Sequence, residues 1–420
     1  MALIPIYLYL IALYIRPQDW VPFFLGWPTA YLIIPFGMAI AISQYTGERE
    51  RFRIPQNWLM PVYLVIIFLS TLLATDAGSA FEQLELFIKR VIVFFMIAWT
   101  LTTIERLQAV VWAVLWLSLF LAYQAFLQAT EGQAWGGLTS FPGYAETRVR
   151  WYGDWDGPNV LGILFVIAAA FTYELVLGAH SWSVRLVGIG LGASYFVAIF
   201  LTDSRGAVLA LGCSMLFYLR EKFRHPMAVV IGIAAVLALF MIGPSRMSTV
   251  SSGESSAHER TWLWEQGLNM LREKPLLGVG RGEFAKKVDL KLVAHNNYVQ
   301  NFSETGLLGF FCFMAILWFC FKGNWLVTKP EYGSDPRLVA IARMITGAFI
   351  GFAAATFFVV MELDLLYFLE GLAAANYLVA RRENLQLPAL RFSRLDAVII
   401  VGSMISLISM IWLAAVKEII

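Results

Sequence analysis

The chain has 420 residues, a formal net charge of +2, 59% hydrophobic and 14% charged residues. A soluble domain carries about 25% charged residues, so an ordinary soluble domain is excluded, and the near-neutral balance gives no footprint for a nucleic-acid partner. The apolar residues gather in runs of roughly 15–25, long enough to cross a hydrocarbon core of about 30 Å. Backbone groups in lipid must be satisfied within each segment, so these runs predict an all-α, polytopic helical membrane protein. A β-barrel would show short alternating strands instead. Cys213, Cys312 and Cys320 all lie in apolar runs, with neither a disulfide framework nor zinc spacing.

Taken in chain order, apolar segments fall near 2–15, 21–43, 57–75, 88–104, 108–129, 158–178, 184–201, 206–219, 226–243, 298–321, 339–361, 364–380 and 396–416. The first lacks a basic n-region and a small-residue cleavage site, so it reads as a retained span and not a signal peptide. The first two flank "RPQDW" and could form a re-entrant hairpin, which makes the expected count twelve or thirteen. Residues 1–420 read as a single membrane domain with two long outer linkers, 130–157 and 244–297. A cytoplasmic N-terminus puts the basic clusters "GERERFR", "REKFR", "KGNWLVTKPEYGSDPR" and "RRENLQLPALRFSR" inside, as the positive-inside rule expects. The other face is then periplasmic, if the membrane is a bacterial inner membrane.

That sidedness gathers unusual residues on the outer face. "LTDSRGAVLALG" (201–212) puts Asp203 and Arg205 at a span end. "HERTWLWEQGLNMLREKPLLGVGRGEF" (258–284) predicts an amphipathic helix with Arg260, Trp264, Gly267 and Leu271 on one stripe. Pro275 and the glycines at 278, 280 and 282 then break it. "VAHNNYVQNFSETGLLGFF" (293–311) follows, with His295, Asn296 and Asn297 ahead of an apolar run. Arginine holds phosphate oxygens bidentately and never loses its charge. Arginines converging on one outer cavity suggest a diphosphate, in a membrane a lipid-linked one. Each feature also has a plainer reading. Arg205 could snorkel at the interface, Trp262 and Trp264 could belong to an aromatic belt sooner than to a substrate-binding platform, with Trp264 the candidate for the latter, and His295 alone reads as a structural hydrogen-bonder before it reads as a base.

In order, "TDSRGA", "ERTWLWEQGLNMLREKPLLGVGRGEF" and "AHNNYVQNFSETGLLG" resemble the signature region of the O-antigen ligase and polymerase superfamily over residues 201–310. "RWYGDWDGPNVLG" (150–162) resembles a further segment of that family; the other spans match only in hydropathy. The resemblance implies a periplasmic, metal-independent, inverting glycosyltransferase without a cofactor. Its donor would be an undecaprenyl-diphosphate-linked glycan, and its acceptor the hydroxyl of a sugar on a lipid-linked repeat or lipid A core. Carried over, Arg205 and Arg260 are implied to bind the diphosphate, and His295 to act on the acceptor hydroxyl. Displacement at an anomeric carbon needs a base on one face and leaving-group stabilisation on the other. Imidazole is suited to the first task, and nearby arginines would depress its pKa and help keep it neutral. Asn296 or Asn297 could orient the imidazole or the sugar.

Arg281, in the glycine-rich turn, is the third candidate for the diphosphate. Arg148 and Arg150 sit beside Trp151, Tyr152 and Trp155, an arrangement that suits a sugar or phosphate and equally an interface belt. Asp154 and Asp156 read as turn residues more than as a metal pair. Glu304 could pair with a site arginine or simply occupy a first helical turn. The competing class is a transporter, such as a flippase for a lipid-linked oligosaccharide. Transporters place ionisable groups or broken helices near the midplane, whereas these charges crowd one face. Ligase and polymerase stay open.

Overall fold

The computed structural model describes residues 2–44, 53–141, 148–179, 181–223, 227, 230 and 255–416. Most of the expected segment 226–243 and part of the 244–297 linker lie outside these residues. The described chain is all helical. The elements are α1 (Ile4–Tyr14), α2 (Pro17–Trp20), α3 (Thr29–Ser43), α4 (Pro55–Thr71), α5 (Ala77–Thr100), α6 (Ile104–Glu131), α7 (Pro158–Leu177), α8 (Trp182–Leu201), α9 (Arg205–Phe223), α10 (Ser255–Glu273), α11 (Phe284–Lys287), α12 (Asn297–Val327), α13 (Pro336–Ala355), α14 (Asp364–Glu383) and α15 (Arg394–Val416). Among the described residues there is no strand, only an isolated bridge between Gln133 and Thr139.

The starts of these helices are written in the sequence. Pro55, Pro158 and Pro336 open α4, α7 and α13, where a missing N–H costs nothing. Asp335 caps α13 by accepting the Arg337 N–H at 2.7 Å, and Thr103 caps α6 through the Arg106 N–H at 3.3 Å.

Among the described residues, six helices are long and apolar enough to cross a membrane: α6, α7, α8, α12, α13 and α15. The chain is thus a polytopic helical membrane protein. The other expected segments among the described residues appear as helices of a different kind. α1 and α3 are apolar but have only 11 and 15 residues, α4 has 17, while α5, α9 and α14 are long but carry more charge.

Helices that lack a hydrophobic drive to associate in lipid pack through small residues and buried polar contacts. α13 packs between α7 and α9 in this way. A side chain at Gly351 would meet Val166 at 2.8 Å, and Ser214 Oγ donates to the Gly347 carbonyl at 2.8 Å. α14 packs on α5 and α12 on α4, and Asn376 donates to Asn324 Oδ1 at 2.9 Å between α14 and α12.

The feature that positions the site is a break in α12. Helix starts at Asn297, close to the expected start near 298, but is interrupted at Gly306 (φ 66°, ψ −170°). The turn after α10 fills the gap. Val279 and Gly280 N–H groups donate to the Ser303 and Glu304 carbonyls at 3.0 and 3.1 Å, while Leu307 and Leu308 N–H groups donate to Pro275 and Leu276 at 2.8 and 3.2 Å. Backbone meets backbone so closely that a Cβ on Gly306 would lie 2.3 Å from the Leu276 carbonyl carbon. One on Gly278 (φ 70°) would lie 2.3 Å from that of Glu304. Gly306→Ala and Gly278→Ala are each expected to cost more than the ~1–3 kcal/mol of a strained backbone position, because the two strands of the joint must also separate. Thermal unfolding of the detergent-solubilised variants checks this. Melting unchanged from the parent would show that the joint carries no stability.

Candidate functional site

The SR motif turns between α8 and α9. Asp203 adopts a left-handed conformation (φ 50°), and Ser204 Oγ accepts the Ala207 N–H at 3.3 Å, starting α9. Arg205, the first residue of α9, is half-exposed. Gly206 beside it faces Phe358, where an added Cβ would reach the Phe358 side chain at 3.4 Å.

α10 is the amphipathic helix expected from the sequence. Trp264 is buried rather than lying in a belt: its ring is 5.3 Å from that of Phe357, and its Nε1 donates to the Ala294 carbonyl at 3.1 Å. Gly267 lets α10 lie flush on α12, since a Cβ there would meet Val299 at 2.3 Å. Arg260 lies one turn before Trp264, half-exposed, at the end of α10 that approaches His295.

His295 is clamped from both sides. The Ala294 N–H donates to Gln300 Oε1 at 2.9 Å, and Asn296 Oδ1 caps α12 by accepting the Tyr298 and Val299 N–H groups at 2.9 and 3.1 Å. His295 itself takes a left-handed conformation (φ 48°), uncommon for a residue with a side chain and a form of strain that clusters at functional sites. Its imidazole is half-buried. Burial and then Arg260 lower its pKa below the ordinary histidine value, opposed by Glu259. The imidazole is therefore biased towards its neutral form. Asn297 is fully buried, with its N–H donating to the Thr356 carbonyl at 2.8 Å. Its side-chain amide makes no hydrogen bond among the described residues, which suits a partner such as water or substrate.

One short loop ties the three motifs together. Thr356 holds Asn297, Phe357 packs on Trp264, and Phe358 lies against Gly206. Sequence reasoning missed this loop, because "TFFVV" reads as continuing a span.

Arg281 has a different setting. It is 6% exposed, with Nη2 2.6 Å from Glu362 and Nε 3.8 Å from Glu304. Glu362 also accepts from Tyr367 at 2.6 Å, and Asn301 donates to Tyr63 at 2.6 Å beside it. Burial opposes ionisation of Glu362, but Arg281, Tyr367 and Arg90 outweigh it and hold the carboxyl below its ordinary range. Glu304 also accepts the Phe284 N–H at 3.3 Å, so it serves an arginine and the glycine-rich turn together. Glu362, which with Asp364 interrupts two apolar runs, is the signal that could have revealed this network.

Arg148 is buried, with Nε donating to the Thr202 carbonyl at 3.3 Å and Nη2 to Asn159 at 3.1 Å. It fastens the 148–159 loop to the SR turn. Arg150 pairs with Asp156 at 2.9 Å, and Asp154 lies 3.6 Å from Arg16, so the two aspartates serve different arginines. Trp151 and Trp155 are buried and donate to the Ile15 and Leu13 carbonyls at 3.2 and 2.8 Å. Removing one partner of a buried ion pair costs about 3–5 kcal/mol. Arg281→Ala is expected to lose stability on that scale, seen as a lower melting temperature without any ligand. Undiminished melting would free Arg281 for a role towards substrate.

Residues 190–314 match the family model described as O-Antigen ligase. That segment spans Arg205, Arg260, Arg281, His295 and the break in α12. The exopolysaccharide production protein ExoQ of Rhizobium meliloti (strain 1021) is 28% identical over 190 residues, a match covering 39% of this chain and 43% of that protein. The aligned region is less than half of the relative's own length. The matched segment holds the three ordered motifs, and together with this relative it supports the similarity to the O-antigen ligase and polymerase superfamily.

Proposed function

We propose that the protein is a glycosyltransferase that moves a glycan from an undecaprenyl-diphosphate carrier to an acceptor sugar hydroxyl at the periplasmic face of a bacterial inner membrane. The observation that carries this reading is His295. Its half-buried imidazole is fixed between two pinned residues and kept towards neutrality by burial and by Arg260. In the proposed step, the acceptor oxygen attacks the anomeric carbon while its proton passes to His295. The bond from that carbon to the diphosphate oxygen breaks, and the departing charge is held by Arg205 and Arg260. Charge-assisted donors preorganised at a leaving group are an effective form of transition-state stabilisation. A diphosphate leaves without a general acid, so the step assigns work to neither a metal nor a cofactor.

A lipid-linked donor also needs an apolar approach. A cavity of about 160 Å³ between α12, α13 and α15 is lined by Tyr298, Met314, Phe349, Phe352 and Ile399. Its upper end, at Tyr298 and Phe352, adjoins the Thr356–Phe358 loop. This fits a polyprenyl chain entering from the membrane beside His295. The relative's name as an exopolysaccharide production protein favours polymerisation over transfer to lipid A core. The flippase reading gains little from the broken helix. Transporters leave unwound backbone to coordinate cargo, whereas the groups freed at Gly306 are taken by the chain's own 275–280 turn.

Purified protein given a defined undecaprenyl-diphosphate glycan is expected to yield product on a second carrier. Product on lipid A core would indicate a ligase instead. His295→Ala and Arg205→Ala are each expected to abolish transfer while the protein stays folded in membrane; full activity in both would sink the assignment. A base must be unprotonated to work, so activity falls as pH drops through the pKa of His295. The acid limb of kcat/KM is expected below the ordinary histidine value. Glu259→Gln removes the neighbouring charge that favours imidazolium, so the limb should move lower still. A limb that ignores Glu259 would mean that another group is titrating.

A further inference from the structure

The end of the bundle opposite His295 holds a second cavity, of about 590 Å³. α7 runs from Asn159, which Arg148 holds at the site end, to Leu177 at this cavity. α13 runs from Pro336 at the cavity to Ala355, next to the Thr356 that holds Asn297. Each has 20 residues, about 30 Å of helix, so the cavity lies at the other membrane surface.

Its chemistry divides in two. Val111, Trp112, Leu175, Val339 and Met344 make apolar walls on helices that cross the membrane. Lys222, Lys329, Arg337 and Arg343 make it basic, and Glu174 is the one acidic residue in the lining. Arg337 is matched outside the cavity by Asp335 at 3.0 Å and Glu105 at 3.4 Å. Glu174 serves both Lys222, at 2.8 Å, and Arg343, at 3.2 Å. Lys329 lies 3.6 Å over the Trp325 ring and has no carboxylate partner among the described residues. Three cations therefore face one carboxylate. Two further donors of the lining, Arg343 Nε and Ser334 Oγ, are buried without a hydrogen-bond partner among the described residues. An ammonium, a guanidinium and a hydroxyl with spare donors are what a phosphate oxygen cluster satisfies. The apolar walls add what a free phosphate could not use.

We propose that this cavity binds an anionic membrane lipid, its phosphate held by Lys329, Arg343 and Ser334 and an acyl chain along Val111 and Trp112. The site is separate from His295 and does not depend on which glycan is transferred. Delipidated full-length protein in detergent can be titrated with phosphatidylglycerol or with phosphatidylcholine of the same acyl chains and followed by native mass spectrometry. Phosphatidylglycerol should be retained in preference. One basic residue near a lipid phosphate is worth about fivefold in binding, so Lys329→Gln should lower retention by about that factor, and Ser334→Ala should also lower it. Both side chains border the cavity away from the ion pairs of Glu174, and melting without lipid verifies that the variants fold. Equal retention of the two lipids, or undiminished retention in both variants, would overturn the proposal. So would displacement of phosphatidylglycerol by millimolar inorganic phosphate, which would mark a soluble-anion site.

Discussion

The joint at Gly306 is the constraint from which the site follows. Cutting a helix inside an apolar bundle strands carbonyls and N–H groups that cost several kcal/mol each if nothing answers them. Here the 275–280 turn answers them with its own backbone, donating to Ser303 and Glu304 and accepting from Leu307 and Leu308. Because the bonds are reciprocal, neither partner can move alone. α10 must end at Pro275, the segment 297–305 must stand beside it, and His295 must fall where the two begin. The glycines at 278 and 306 are the cost of that closeness, since a side chain at either would occupy backbone.

A second constraint is the cost of charge in a place with little water. The molecule sorts its charged groups by how that cost is met. Arg281 is inside and meets Glu362 and Glu304, while Arg90 meets Asp364 at 3.1 Å. Such pairs offset desolvation locally and gain little beyond it, so their role is to fix the geometry beneath the joint. Arg205 and Arg260 lie half-exposed, where a solvated headgroup can reach them. At the far end, Glu174 is shared between Lys222 and Arg343, which leaves that surface with positive charge to spare.

Much of this was legible in the sequence, because hydropathy and helix punctuation are local signals. The starts of α7, α9 and α13 were readable from Pro158, Arg205 and the apolar run near 339, and α10 from its stripe of Arg260, Trp264, Gly267 and Leu271. The break in α12 was not readable, since its cause is a turn some thirty residues earlier in the chain. Gly306 and Gly278 each looked like ordinary punctuation; only their contact gives them a purpose. The same holds for the site. The motifs named His295, Arg205 and Arg260, yet the loop that gathers them, Thr356–Phe358, carries no polar signature beyond one threonine. Arg281 shows the converse. A basic residue in a glycine-rich turn resembled a phosphate ligand; Glu304 was readable as a partner for a site arginine, but only tertiary structure supplied Glu362, the nearer acid.

On the proposed reading, Arg260 links the two halves of the reaction. Burial first, and then this charge, disfavour imidazolium, so His295 is biased towards neutral and is also a weaker base. A diphosphate bound to Arg260 would compensate that charge and raise the affinity of His295 for a proton. By linkage, the same free energy makes a protonated His295 tighten the hold on diphosphate. Basicity is then strengthened only once the donor is in place. The imidazolium formed during transfer is stabilised by the diphosphate that has just left the sugar. When that product departs, the Arg260 charge again disfavours imidazolium and helps drive the proton off. A base and a clamp placed side by side can in this way reset each other, with Glu259 as the fixed counterweight that keeps the imidazole from becoming too weak to act.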